Sequence, residues 1–240
     1  VHHTKLSNYL AHVIDMCPFF NQPCLLCGQS AATDGLCPAC RSSLVPLPQP
    51  CCPRCATPLP CGGLCGRCQR HPPAFDALHV PYVFCYPMDG LIHAFKYGKR
   101  LELAGVLGRL LVQSSPPIPC NIDRVIPVPL SKERLALRGF NQSDELARQL
   151  TGTIPDRFFP AICGRKSNTP PQACLSLSER RRNLRNAFCV ETRLDGLSVA
   201  IVDDVVTTGT TLNTMAVMLK NQGAKRVEAW ALARTLEFNT

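Results

Sequence analysis

Residues Val199–Val202 form an unbroken apolar run, mostly β-branched, as a strand buried on both faces requires. LSVAIVDDV (197–205) is therefore expected as a strand. Directly after it, TTLNTMAVMLKNQG (210–223) places Leu212, Met215, Ala216 and Leu219 on one helical face, with Gly223 as its stop. RVEAWALART (226–235), AFCVE (187–191), RFFPAI (157–162), RVIPVPL (124–130) and LHVPYVFCY (78–86) read as further strands. GLIHAFKYGKRLELAGVLGRLLVQ (90–113) has the spacing of one or two amphipathic helices. NQSDELARQLT (141–151) is helical, with Asn141 as N-cap and Asp144 three residues on, close to a capping box. GRKSNTPPQACLSLSERRRNL (164–184), with paired prolines and many polar residues, is expected as a long mobile loop leading into a basic helix. Strands alternating with helices predict an α/β fold with a mostly parallel sheet covered on both faces.

The pattern fails over 17–75, where cysteine, proline and glycine dominate. Eleven of the 16 cysteines fall between Cys17 and Cys68. Eight of them form two sets: Cys24, Cys27, Cys37 and Cys40, then Cys52, Cys55, Cys65 and Cys68, each member 28 residues after its counterpart. A C-x2-C turn aims two thiolates at one point, and two such turns complete a tetrahedral zinc shell. A segment of about 28 residues buries too little apolar surface to fold alone, a deficit that structural zinc can supply. Four sulfur ligands leave no open position, so the expected role of two Zn²⁺ ions is structural. Iron in a rubredoxin-like site uses the same donors, disulfides use the same residues, and Cys17, Cys51 and Cys61 leave the ligand set open. The expected organisation is an N-terminal segment 1–16, a small Cys-rich double zinc ribbon over 17–75, and the α/β domain over 76–240.

The remaining composition narrows the class. No apolar run approaches the roughly 20 residues of a membrane helix, and LAGVLGRLLV (103–112) is broken by Arg109. The first residues lack the pattern of a signal peptide, so a cytoplasmic protein without membrane insertion is expected. The formal charge is +9, and residues 131–190 carry 11 Lys and Arg against 5 Asp and Glu. That surplus reads either as a solvated face or as an anion site for diphosphate or a nucleic-acid backbone. All six histidines lie at or before His93, which excludes a Ser/His/Asp hydrolase built within 94–240.

VAIVDDVVTTGTT (199–211) carries the chemistry. In an open parallel sheet, ligands gather beyond the carboxyl ends of the strands, where Asp203 and Asp204 fall. Two adjacent carboxylates without partners would cost several kcal/mol, so they call for hydroxyl groups, a cation or both. Thr207, Thr208, Gly209, Thr210 and Thr211 lead into a helix whose N-terminal N–H groups and partial charge favour phosphate. The complement of this stretch is a ribose 5-phosphate; an Asp-rich turn with a threonine N-cap is the plain alternative. There is no G-x-x-x-x-G-K-[ST] and no G-x-G-x-x-G.

AIVDDVVTTGTT resembles the phosphoribosyl diphosphate (PRPP) motif of type I phosphoribosyltransferases. With IHAFKYGKR (92–100), IPVPLSKERLALRGFNQSDEL (126–146), RRRNLRNAF (180–188) and a double zinc ribbon in front, the chain resembles the ComF/GntX family, most closely its GntX side. The resemblance implies a type I phosphoribosyltransferase sheet and a part in bacterial DNA uptake and utilisation. It implies that Asp203 and Asp204 hold the ribose hydroxyls with Mg²⁺ nearby, and that Thr207–Thr211 hold the 5-phosphate. The turn from Pro127 into Ser131 and Lys132 would receive diphosphate. Arg165, Lys166 and Arg180, on a flexible loop, would stabilise the leaving diphosphate, making Lys132, Arg165 and Arg180 the catalytic candidates. Arg138, Asn141 and Gln142 belong to the family signature or form a capped helix entry; Lys96 and Tyr97 serve packing or substrate. Implied partners are PRPP or a related ribose 5-phosphate ligand, single-stranded DNA and the DNA-uptake machinery. Such a protein either binds PRPP while handling nucleic acid, or transfers phosphoribosyl to an unidentified nitrogen acceptor.

Overall fold

The structure is a computed structural model describing residues 23–29, 34–98, 100–115, 121–152, 155–160, 163–165, 188–190 and 192–236. Contacts divide the chain into two compact units at Val45/Pro46, between the two cysteine sets. In the first unit, Cys37 caps the single-turn helix α1 (Pro38–Ser42) by accepting from the Cys40 N–H. In the second, Cys65 caps α2 (Gly66–Arg70) through the Cys68 N–H in the same way.

The second unit continues with β1 (Ala77–His79), β2 (Tyr82–Val83), α3 (Met88–Tyr97), α4 (Leu103–Ser114), β3 (Arg124–Pro127), α5 (Lys132–Arg138), α6 (Gln142–Thr151), β4 (Cys163–Arg165), β5 (Phe188–Val190), β6 (Ser198–Val206), α7 (Thr210–Asn221) and β7 (Arg226–Arg234). β1, β7, β6 and β3 lie side by side, with β2 continuing the β1 edge against the end of β7. Every pairing in this sheet is parallel. β6 and β7 are central and almost wholly buried, which explains their near-continuous apolar runs. Leu212, Met215, Ala216 and Leu219 are all buried against the sheet, as the helical spacing requires. On the β3 side α4 packs on α6: a Cβ at Gly108 would lie 2.2 Å from Gln149 Cγ, so only glycine permits this approach.

Three expected elements differ. The strand expected over 78–86 is two short pieces, because Pro81 has no N–H to offer the ladder. The strand expected over 124–130 ends at Pro127, and a helix absent from the sequence reading, α5, follows. The strand expected over 157–162 is a 3-10 turn (Pro155–Arg157) with a lone parallel bridge from Phe158 to Val125. Most of 164–184 lies outside the described residues, while its first two residues sit in β4, which pairs antiparallel with β5.

Candidate functional site

Asp203 and Asp204 are the sixth and seventh residues of β6, so their side chains leave opposite faces of the sheet. On one face Asp203 Oδ1 accepts from Ser143 Oγ of α6 at 3.2 Å and from the Asp204 N–H at 2.9 Å. On the other, Asp204 is 8% exposed and its Oδ1 lies 2.8 Å from Lys96 Nζ of α3. Burial first, then the adjacent Asp204 charge, pushes Asp203 up to about 7, against the Asp204 N–H and Ser143 hydroxyl donors and the nearby Lys96 charge. An acid raised this far shares its proton with solvent near neutral pH, and a bound cation or hydroxyl donor favours its ionised form.

The strand then opens into a loop whose turn depends on Gly209, at φ +75°, a left-handed conformation costly for any residue with a Cβ. Thr207 and Thr208 are exposed, and the Thr208 and Thr210 hydroxyls meet at 2.7 Å. Asp203, Val205, Val206, Thr207–Thr211 and Leu212 line a cavity of about 40 Å³ at the N-terminus of α7. The Asp203 carboxyl and several hydroxyl donors thus share one hollow beside a helix N-terminus.

The neighbouring strand brings a second loop to this edge. Pro127 is in register with Val202, and the Val128 N–H donates to the Val202 carbonyl at 2.9 Å. Ser131, 2% exposed, caps α5, which begins at the exposed Lys132. Asn141 ties the corner together: its Nδ2 donates to the Val128 carbonyl (3.1 Å) and to Asp144 Oδ1 (2.9 Å), while its Oδ1 accepts from the Ser143 N–H. Arg138 donates to Gln142 Oε1 at 2.8 Å and to the Tyr97 hydroxyl at 3.2 Å, and its guanidinium lies 4.9 Å from that ring's centroid. Gln142 is 1% exposed, and its Nε2 has no partner among the described residues. The R-G-F-N-Q-S-D stretch (138–144) is therefore a bracket between the Val128 turn and Asp203.

The two cysteine sets are each gathered, with all four Sγ atoms of a set within 4.8 Å of one another. A Zn–S bond of about 2.3 Å in tetrahedral geometry needs Sγ atoms about 3.8 Å apart; Cys27 and Cys37 are 3.8 Å apart and Cys55 and Cys65 3.5 Å. Backbone N–H groups donate to Cys24 Sγ, Cys37 Sγ and Cys65 Sγ at 3.4 Å, as they do toward thiolates. Burial opposes ionisation of Cys52, but N–H donors from Cys65, Cys55 and Arg54 outweigh it and lower its thiol to about 7. Spacing and donors fit two structural zinc ions. Cys51 and Cys61 stand outside both sets, and Cys17 lies outside the described residues.

The structure brings together Asp203, Thr207, Thr208, Gly209, Thr210 and Thr211 in one hollow; Asp204 is next on the strand and faces Lys96, and Lys132 follows the adjoining strand. It assigns Lys96 to Asp204 and Tyr97 to Arg138. Arg165 lies in β4; Lys166 and Arg180 are outside the described residues. Sequence reasoning misses Ser143: a serine at the second turn position of a helix carries no sign of a partner 60 residues away.

Residues 136–237 match the phosphoribosyl transferase domain, and residues 17–69 match the double zinc ribbon domain. The DNA utilization protein YhgH of Escherichia coli O6:H1 is 38% identical over 89% of this chain and 97% of its own length. Competence protein F of Haemophilus influenzae is 32% identical over 91% of this chain and all of its own. Among solved structures, the allosteric regulatory enzyme of purine biosynthesis aligns with 58% of this chain and 29% of its own, at TM-score 0.40 and 18% identity. The sheet, the two four-cysteine clusters and the sequence relatives agree: this chain belongs to the ComF family, in which a double zinc ribbon precedes a type I phosphoribosyltransferase domain.

Proposed function

We propose that this protein binds PRPP at the carboxyl edge of its sheet and serves the uptake and utilisation of DNA in the cytoplasm. One observation carries the ligand: Asp203 lines a hollow together with Thr207–Thr211, with Asp204 the next residue on the strand, so a carboxylate acceptor for ribose hydroxyls stands next to donors for one phosphate. Asp203 and Asp204 are also the residues that would hold Mg²⁺, an ion that neutralises diphosphate charge when bound. The α3 cation Lys96 already compensates Asp204 from the opposite side. Support for the biological role comes from the names of the relatives, one a DNA utilization protein and one a competence protein. The nucleic acid that suits the basic surplus over 131–190 is single-stranded DNA, bound with a steep salt dependence.

The second reading, transfer of phosphoribosyl to a nitrogen acceptor, is favoured by the exposed Lys132 at the start of α5, which follows the strand adjoining the acidic pair. There the bond from C1 to diphosphate breaks with its electron pair leaving on diphosphate, the acceptor nitrogen bonds to C1, and its proton passes to solvent. The transition state is oxocarbenium-like, so the protein's part is to hold the sugar, exclude water and stabilise the departing charge with Lys132, Arg165 and Arg180. Calorimetric titration with Mg²⁺-PRPP tests the ligand, and saturable binding is expected. A diphosphate-release assay against bases, nucleosides and DNA separates the readings: release dependent on one acceptor favours the transferase, and bound PRPP with no release favours binding without transfer. Absence of binding contradicts both.

A further inference from the structure

The two cysteine repeats are alike in spacing and unlike in their surroundings. After its second cysteine the first repeat has Gly28, at φ +76° and, among the described residues, with nothing within 4 Å of where a Cβ would stand. The second repeat has Ala56 at the equivalent place, held at φ +56° with its side chain 1% exposed in the core cluster of the sheet. A residue with a Cβ is kept in a left-handed conformation there, and its methyl is inserted into the α/β core. The Pro53 carbonyl accepts from the Leu78 N–H at 3.2 Å, and Arg54 donates to the carbonyls of Pro73 and Phe75, each at 3.2 Å. Those residues reach the phosphate loop in turn: the Ala74 N–H donates to Asn213 Oδ1 of α7 at 2.7 Å, and the Phe75 ring lies 4.0 Å from where a Gly209 Cβ would stand.

Two contacts close the connection. Arg67 Nη2, between the ligands Cys65 and Cys68, donates to the Thr208 carbonyl at 3.4 Å. Thr57 Oγ1 lies 3.1 Å from Cys55 Sγ and accepts from Arg234, which is in register with Val206 at the end of β6. In the first repeat the counterpart of Arg67 is Ala39, 28 residues earlier, which has no donor to offer. The Thr208 carbonyl and the Gly209 N–H belong to one planar trans peptide and point in opposite directions. An arginine that holds the carbonyl therefore turns the N–H away from the ribbon and holds it there.

We propose that the second ribbon is a working part of the phosphate site: Arg67 positions the Thr208–Gly209 peptide, and zinc at Cys52, Cys55, Cys65 and Cys68 is coupled to ligand at Thr207–Thr211. This rests on reading that loop as the phosphate cradle of PRPP. The first ribbon, lacking the arginine, takes no part in the coupling.

The test uses the full zinc-loaded chain and calorimetric titration with Mg²⁺-PRPP and with ribose 5-phosphate. Arg67→Ala is expected to weaken both by about five- to tenfold, the lower range of measured site-to-site couplings. Arg67→Lys, which keeps a donor, recovers most of that loss. Arg70→Ala removes the same charge from the same exposed helix and leaves both affinities within about twofold, as a change distant from the loop does. Zinc content and thermal midpoint stay at the unaltered values in all three variants. By reciprocity, saturating PRPP raises the affinity for one of the two zinc ions in equilibrium competition with a chelator, and Arg67→Ala abolishes that gain. Equal losses for Arg67→Ala and Arg70→Ala would reduce the effect to bulk charge and overturn the proposal. Unchanged affinity in Arg67→Ala, with binding abolished by Asp203→Ala/Asp204→Ala, overturns the coupling and leaves the PRPP reading standing. No binding of either ligand by the unaltered chain overturns both.

Discussion

Replacing Lys96 with alanine removes the cation from a carboxylate pair that the strand cannot rearrange. The Lys96–Asp204 contact is 2.8 Å long, with side chains 20% and 11% exposed. At an effective dielectric constant of about 20, the direct attraction at that distance is about 6 kcal/mol, before the desolvation of both partners is subtracted. Exposed pairs contribute about 0.2–1 kcal/mol, whereas removing one partner of a buried pair costs about 3–5 kcal/mol. A pair of this exposure falls between, at about 2 kcal/mol. For a chain of this size that lowers the thermal midpoint by about 4–8 °C.

The pH dependence gives the sharper test. Asp203 is raised to about 7 in the fold, so in the fold it keeps its proton in the range between its ordinary value near 4 and 7, where the unfolded chain has lost it. Stability contributed by this group is fully present below the unfolded value and declines as pH rises through about 7. Lys96 is one of the groups holding Asp203 down, so its removal raises Asp203 further. The penalty of Lys96→Ala is then larger at pH 8, where both carboxylates must ionise, than at pH 6, where Asp203 is largely protonated. Urea unfolding at constant zinc, followed by the fluorescence of Trp230, measures it; this is the one tryptophan of the chain and is fully buried in β7. An equal penalty at both pH values, or none at either, refutes the reasoning.

The same titration affects ligand binding: affinity for Mg²⁺-PRPP is expected to rise from pH 6 to pH 8 as Asp203 ionises, and Asp203→Asn to flatten that rise, checked by calorimetry at each pH. Asn141→Ala loses a helix cap and the anchor on the Val128 carbonyl, a cost of about 1–2 kcal/mol in urea unfolding. Cys52→Ser is expected to remove one zinc ion and lower the Trp230 unfolding midpoint, because its ribbon lies in the unit that holds the sheet. Cys24→Ser removes the other ion with the Trp230 midpoint unchanged, as metal analysis and fluorescence will show.

Elements with a period in the sequence were legible. The run Val199–Val202, the spacing of Leu212, Met215, Ala216 and Leu219, and the repeat of eight cysteines each mark a physical constraint within a few residues of chain. Prolines hid the next tier. Pro81 breaks an otherwise continuous edge strand, and the strand-like pattern around Pro127 and Pro129 masks a short helix that Ser131 caps and Gly139 stops. Pairings across the fold carried no local mark. Nothing near Lys96 or Ser143 indicates that they meet Asp204 and Asp203, because each contact depends on how a helix lies on the sheet. The cysteine repeat showed the opposite limit, since equal spacing hid unequal roles: Arg54 in place of Leu26, Ala56 in place of Gly28 and Arg67 in place of Ala39 are among the differences that tie the second ribbon to the sheet.

The central claim is that Asp203, Asp204 and the loop Thr207–Thr211 bind PRPP. Its most direct test is calorimetric titration of the zinc-loaded chain with Mg²⁺-PRPP, comparing the unaltered protein with Asp203→Ala/Asp204→Ala at pH 8 and matched zinc content. Saturable one-site binding by the first and none by the second is the predicted result; equal binding by both, or none by either, contradicts it.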